Sequence, residues 1–187
     1  MGVSRKQSTL ALLALLALSV SVAGQQAETE PAPPQWSDAE KENFLLTAKV
    51  VRMRGVSTGI TATQRATLSD GKHTHDASIQ TVDISKPTFQ TATGTELNFR
   101  DSYKYNIAAY RLDRILGLNM IPVSVQRTVK GKTGAVTWWV DNVKMMEKDR
   151  FQKKIVAPNP DDWNDQMYQV RAFNELVYNT DANLGNL

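Results

Sequence analysis

The sequence predicts an α+β domain, and three observations carry that expectation. Short strand-like runs, punctuated by Gly55, Gly59 and Asp70-Gly71, fill the first half of the body. Two stretches with helical apolar spacing come later, at residues 101–116 and about 161–178. Between them, two more strand-like runs flank a turn that contains Gly131 and Gly134. The expected order is an early antiparallel sheet, one main helix, a hairpin and a second helix.

The first 24 residues read as a secretory signal peptide. Arg5 and Lys6 form a basic start, residues 10–22 an apolar run, and Ala23-Gly24 a small-residue exit. That run has 13 residues, whereas a spanning helix needs ~20. A signal anchor is the alternative. The expectation is an exported protein, periplasmic or extracellular, with no stable membrane insertion after cleavage. Residues 25–35 (QQAETEPAPPQ) are polar and proline-rich and read as a disordered linker. Residues 36–187 are then the folded domain.

Within it, Ser37 followed by Glu40 fits a capping box at the start of a short helix over residues 36–43. The apolar residues of 44–53 end in a strand. Strands around 60–68 and 77–84 pair across Asp70-Gly71. Residues 85–98 lack apolar periodicity and read as a loop. In the main helix Tyr103, Ile107, Tyr110, Leu112, Ile115 and Leu116 form the apolar face. Asp101 or Ser102 can cap its start, and Gly117 sits where a left-handed residue ends a helix. Strands at 123–129 and 135–140 flank a five-residue turn, 130–134. Pro158-Asn159-Pro160 breaks the chain. In the last helix Trp163, Met167, Val170, Phe173 and Val177 share a face, and Asp161 and Asp162 favour its N-terminus.

Composition excludes several functions. The 187 residues contain 22 Lys+Arg, 19 Asp+Glu and no cysteine. Without Arg5 and Lys6 the body is near neutral, which gives no electrostatic case for nucleic acid. No disulfide framework is possible. No Ser-His-Asp triad, Walker A loop or Rossmann fingerprint is present. His73 and His75 are either surface histidines or two ligands of a metal site that needs a third. Lys130-Gly131-Lys132 is a solvated turn or a phosphate contact. Trp138 and Trp139 point to opposite faces of a strand, one to the core, the other to a nucleotide or an interface.

The C-terminal loop 179–187 (NTDANLGNL) holds one carboxylate and three amides. Asp181 and Asn186 have the D-x-x-x-x-N spacing of a kinase catalytic loop, where an Asp positions the attacking hydroxyl and an Asn offers an oxygen to magnesium. The same residue types also suit an ordinary turn.

Residues 103–125 (YKYNIAAYRLDRILGLNMIPVSV), the hairpin leading to Trp138-Trp139-Val140, and residues 173–187 (FNELVYNTDANLGNL) follow in that order. Together they resemble bacterial exported proteins of the atypical kinase class, related to phosphoinositide and secretory-pathway kinases. The resemblance covers roughly residues 47–187. It implies an N-lobe-like antiparallel sheet with one main helix and a hairpin, followed by the first helix of a C-lobe. It implies ATP and Mg2+ as cofactors and phosphoryl transfer to an unknown acceptor. Asp181 would be the catalytic aspartate, Asn186 the metal ligand, and Asn183 a support for the loop or substrate. Trp139 would lie by the adenine. The strand position of the phosphate-binding lysine falls on Gln80, and its acidic partner in the main helix falls near Asn106. Ala182 stands where related loops usually have Arg. A following strand with a second metal-binding Asp is also implied and lies outside these residues, so the expectation is a domain incomplete at its C-terminus and inactive, or nearly so, as these 187 residues. A non-catalytic binding or scaffold module is the alternative.

Overall fold

The computed structural model describes residues 36–55, 63–91, 94–179 and 182. The described chain is α+β, with an antiparallel sheet and four helices. In chain order its elements are α1 (Asp38–Thr47), β1 (Lys49–Gly55), β2 (Gln64–Ser69), β3 (Thr74–Gln80), β4 (Asp83–Thr91), β5 (Gly94–Ser102), α2 (Lys104–Leu116), β6 (Ser124–Val129), β7 (Lys132–Trp138), α3 (Glu147–Gln152) and α4 (Pro160–Leu176). Five strands form one sheet in the order β1-β2-β3-β7-β6, and β4-β5 form a separate hairpin.

α1 starts at the expected capping box: the Ser37 side chain accepts from the Glu40 N–H, and the Glu40 carboxylate accepts from the Ser37 N–H at 2.7 Å. It runs past the expected end at 43 because Phe44 and Leu45, 2% and 0% exposed, are anchored in the core. β2 and β3 pair as expected across Asp70-Gly71. Gly71 has φ +92, and Asp70 Oδ1 accepts the N–H groups of Lys72 and His73. The core lies on one face of the sheet. Ala66, Leu68, Ala77, Ile79, Val125 and Val136 meet Phe44, Leu45 and Ala48 of α1 and Tyr110 of α2.

Four expectations need correction. Residues 85–98 are not a loop: they lie in the β4-β5 hairpin. Its strands are almost wholly exposed, so they carry no buried period that sequence reading could detect. The main helix begins at Lys104, because Asp101 and Ser102 belong to β5 and pair with Ile84 and Asp83. Its buried stripe also differs from the expected apolar face. Tyr103, Tyr110 and the carboxylate Asp113 are inside, whereas Ile115 is 80% exposed. Finally, the β6-β7 turn has two central residues rather than five, since Val129 pairs with Lys132. Lys130 (φ +49) and Gly131 (φ +79) both have positive φ, the primed turn that matches strand twist.

α4 starts with Pro160 at its first turn, after Asn159, whose side-chain oxygen accepts from the Asp162 N–H. Phe173 is its buried anchor.

Candidate functional site

Opposed residues in an antiparallel pair share a face, and successive residues alternate. The register therefore sorts the sheet. Ala77 faces Trp138 and Ile79 faces Val136 on the core side. Ser78 faces Thr137 and Gln80 faces Ala135 on the other, open side, which is exposed along β1 but covered at Ala135 and Ser124, 1% and 0% exposed. Ser124 of β6 faces Thr137 there, and their hydroxyls hydrogen-bond at 2.8 Å.

Gln80 sits at the end of β3. Its Oε1 accepts from Asn106 Nδ2 at 2.6 Å, so the last residue of β3 meets the first turn of α2. The pair is made of two neutral amides, as the sequence requires. Behind Gln80 the ladder is held close by Gly134, where any Cβ would stand 2.3 Å from the Gln80 carbonyl oxygen. α2 is fixed in turn by its partners on α1. Arg114 pairs with Asp38 and with the buried Asp113, Arg111 pairs with Glu42, and the Tyr110 hydroxyl donates to Glu42 at 2.7 Å. Burial first, then the Glu42 carboxylate, pushes the Tyr110 phenol up to about 12.

Trp139 follows β7. Its N–H donates to the Asp76 carbonyl at 3.1 Å, and the Arg65 guanidinium lies 4.1 Å from the centre of its ring. Trp138 takes the core side and stacks on His75 at 3.7 Å. The expected division of the two tryptophans between two faces is what the structure contains. Gln80 and Trp139 share the open face, separated by four residues of β7, or ~13 Å of strand.

At the Trp139 end Asp76 collects two donors: Arg65 Nε at 2.6 Å and Thr67 Oγ1 at 2.7 Å. Burial works against its charge, but the hydrogen bonds from Thr67 and Arg65 outweigh it and hold the carboxyl below the ordinary aspartate range. A folded-state value below the unfolded one stabilises above the unfolded pKa of ~3.9 and loses that contribution as pH falls through the folded value. The urea midpoint of the native chain is therefore expected to fall below about pH 4 more steeply than that of Asp76→Asn. Equal slopes for the two proteins would remove Asp76 from the account.

The histidines do not converge on a metal. His75 Nδ1 lies 2.7 Å from the Asp76 carbonyl and Nε2 2.7 Å from Asp141, while His73 Nδ1 lies 3.3 Å from Asp70. Among the described residues no group of three His, Asp or Glu side chains could hold a metal ion. Asp181, Asn183 and Asn186 lie outside the described residues. α4 ends at Leu176, and the Asn179 N–H returns to the Asn174 carbonyl at 2.8 Å just before that loop. A groove of about 580 Å³ between α3 and α4 is lined by Arg150, Phe151, Lys154, Trp163, Tyr168 and Arg171; it includes neither Gln80 nor Trp139.

Arg65 and Asp76 escaped the sequence reading. The signal was present: once Asp70-Gly71 sets the hairpin, Thr67 falls opposite Asp76 and Arg65 opposite Ser78. Comparison with protein-family models, with curated proteins and with solved structures gives no match to this chain.

Proposed function

We propose that this chain is an exported kinase-like domain of the atypical class, which binds ATP with Mg2+ and belongs to a phosphotransferase acting on an as yet unidentified acceptor. The observation that carries the reading is the 2.6 Å contact between Gln80 and Asn106. Those are the strand and helix positions on which the resemblance places the phosphate-binding lysine and its acidic partner, 26 residues apart in sequence. Trp139 on the same face supports the reading too, since an indole beside the exit of β7 offers a stacking surface for a base. Asp181 is the proposed catalytic aspartate and Asn186 the proposed metal ligand. A carboxylate and an amide oxygen are hard donors of the kind magnesium takes. Magnesium would supply charge neutralisation of the phosphates when bound. No helix among the described residues is long and apolar enough to cross a membrane.

A second reading is favoured by the same contact. Two amides carry no charge, so they grip a phosphate less firmly than an ammonium does. A pseudokinase-like module that binds nucleotide without turning it over, as a scaffold, fits that chemistry. Calorimetric titration with ATP, with and without Mg2+, combined with phosphate-release assays on a chain extended through the implied strand and second metal-binding Asp, separates the two. The catalytic reading expects magnesium-dependent binding that weakens in Asn186→Ala, and turnover that falls ~10²–10⁴-fold in Asp181→Ala. Binding without turnover selects the scaffold. Absence of both, or turnover untouched in both variants, overturns the assignment.

A further inference from the structure

The register places an unexpected set of cations on the open face. Arg54 of β1 lies directly opposite Arg65 of β2, and Arg52 lies opposite Thr67. Lys49, opposite Ser69, adds a fourth cation at the far end. Against these four the described part of that face holds one carboxylate, Asp76, which Arg65 already engages. Arg52 and Arg54 are exposed and make no ion pair or hydrogen bond among the described residues. Arg127 does not dilute the pattern, because it sits on the core side and donates to the Leu45 carbonyl at 2.8 Å.

Like charges directly opposed across two strands destabilise a sheet. Two arginines placed beside a third carry that cost with no carboxylate among the described residues to relieve it. The body as a whole is near neutral, so the concentration on one face is local. Guanidinium groups present planar forks of donors that match phosphate oxygens bidentately. Arg65 lies over the Trp139 ring and so links the cationic side of the face to its aromatic side.

We propose that the open face is a polyphosphate site, in which Arg52 and Arg54 grip a di- or triphosphate chain and Arg65 bridges from Asp76 towards it. These arginines supply the positive charge that Gln80 lacks. The site stands on register and charge. Only the identity of the group attached to the phosphates, a nucleoside, rests on the kinase-like reading.

The test titrates the full chain with ATP, inorganic tripolyphosphate and adenosine. The variants are Arg52→Glu/Arg54→Glu and, as a control for net charge, Lys148→Glu/Lys153→Glu at α3. Both pairs are exposed, and a urea midpoint that is not lowered establishes that they fold; relief of the Arg54–Arg65 opposition should raise it in the arginine variant. The proposal expects tripolyphosphate and ATP to bind the native chain, to weaken at least ~tenfold in the Arg52/Arg54 variant, and to be unaffected by the Lys148/Lys153 variant. Undiminished ATP binding in the Arg52/Arg54 variant overturns the site and leaves the kinase-like reading standing. Arginine-dependent tripolyphosphate binding, with ATP no tighter and adenosine silent, keeps the site and removes the nucleoside. A single-stranded oligonucleotide that binds this face more tightly than ATP overturns the proposal in favour of a nucleic-acid surface. No binding of any probe overturns both readings.

Discussion

Asp113→Ala is expected to cost about 3–5 kcal/mol and to lower the urea midpoint accordingly, more than any exposed substitution in the chain. Asp113 is fully buried, 0% exposed. Its Oδ1 accepts the Met120 N–H at 3.0 Å and its Oδ2 pairs with Arg114. Its backbone carbonyl accepts the Leu118 N–H at 3.1 Å, part of the turn that Gly117 (φ +69) makes possible at the end of α2. One residue thus ties the exit of α2 to the helix and, through Arg114 and Asp38, ties α2 to α1. Removal of the carboxylate leaves the partly buried Arg114 short of a counter-charge and the Met120 N–H without its acceptor. Asp113→Asn keeps an acceptor for Met120 and should cost less. A midpoint unchanged in Asp113→Ala would contradict the packing described for α2.

Gly134→Ala should be the second severe substitution. The new methyl would stand 2.3 Å from the Gln80 carbonyl oxygen and 2.8 Å from Thr81 Cγ2. The first of these is backbone, so a rotamer change cannot relieve it. β3 and β7 must separate where Gln80 pairs with Ala135, at a cost of about 1–3 kcal/mol or more. Because Gln80 is displaced, the contact with Asn106 is lost as well, and any nucleotide binding should weaken beyond the loss of folded protein. Gly55→Ala is the control: nothing lies within 4 Å of its new Cβ and its φ is ordinary, so its stability should be unchanged or slightly raised. Thermal melts of the three proteins check the order.

These two residues show where sequence reading succeeds and where it stops. Local chemistry is legible. Ser37 and Glu40 announce a helix start, Gly117 a helix end, Asp70-Gly71 a hairpin, and the Trp138-Trp139 pair a strand with two different faces. Each depends on groups within a few residues of one another. The β4-β5 hairpin is illegible because neither face of it is buried enough to impose a period. Asp113 misleads because it occupies a core position on α2 three residues after Tyr110, where the apolar pattern points instead to Leu112 and Ile115. Its burial is decided by Arg114, Met120 and Asp38, partners that periodicity does not supply. Gly134 looks like one more turn glycine until the two-residue turn moves it into β7, against Gln80. The candidate site divides the same way. The nearness of Gln80 and Asn106 was implied by family resemblance, whereas the alignment of Arg52, Arg54 and Arg65 needed the strand register. That register includes an irregularity between Val50 and Arg52 that shifts the start of β1.

A crystal structure of the chain with a non-hydrolysable ATP analogue and Mg2+ tests the functional account most directly. The base is expected against Trp139 and the phosphates on the side of the sheet that holds Gln80 and Arg54, with magnesium at Asn186. Nucleotide seated in the α3-α4 groove instead, or a fully occupied ligand that leaves the open sheet face bare, would contradict it.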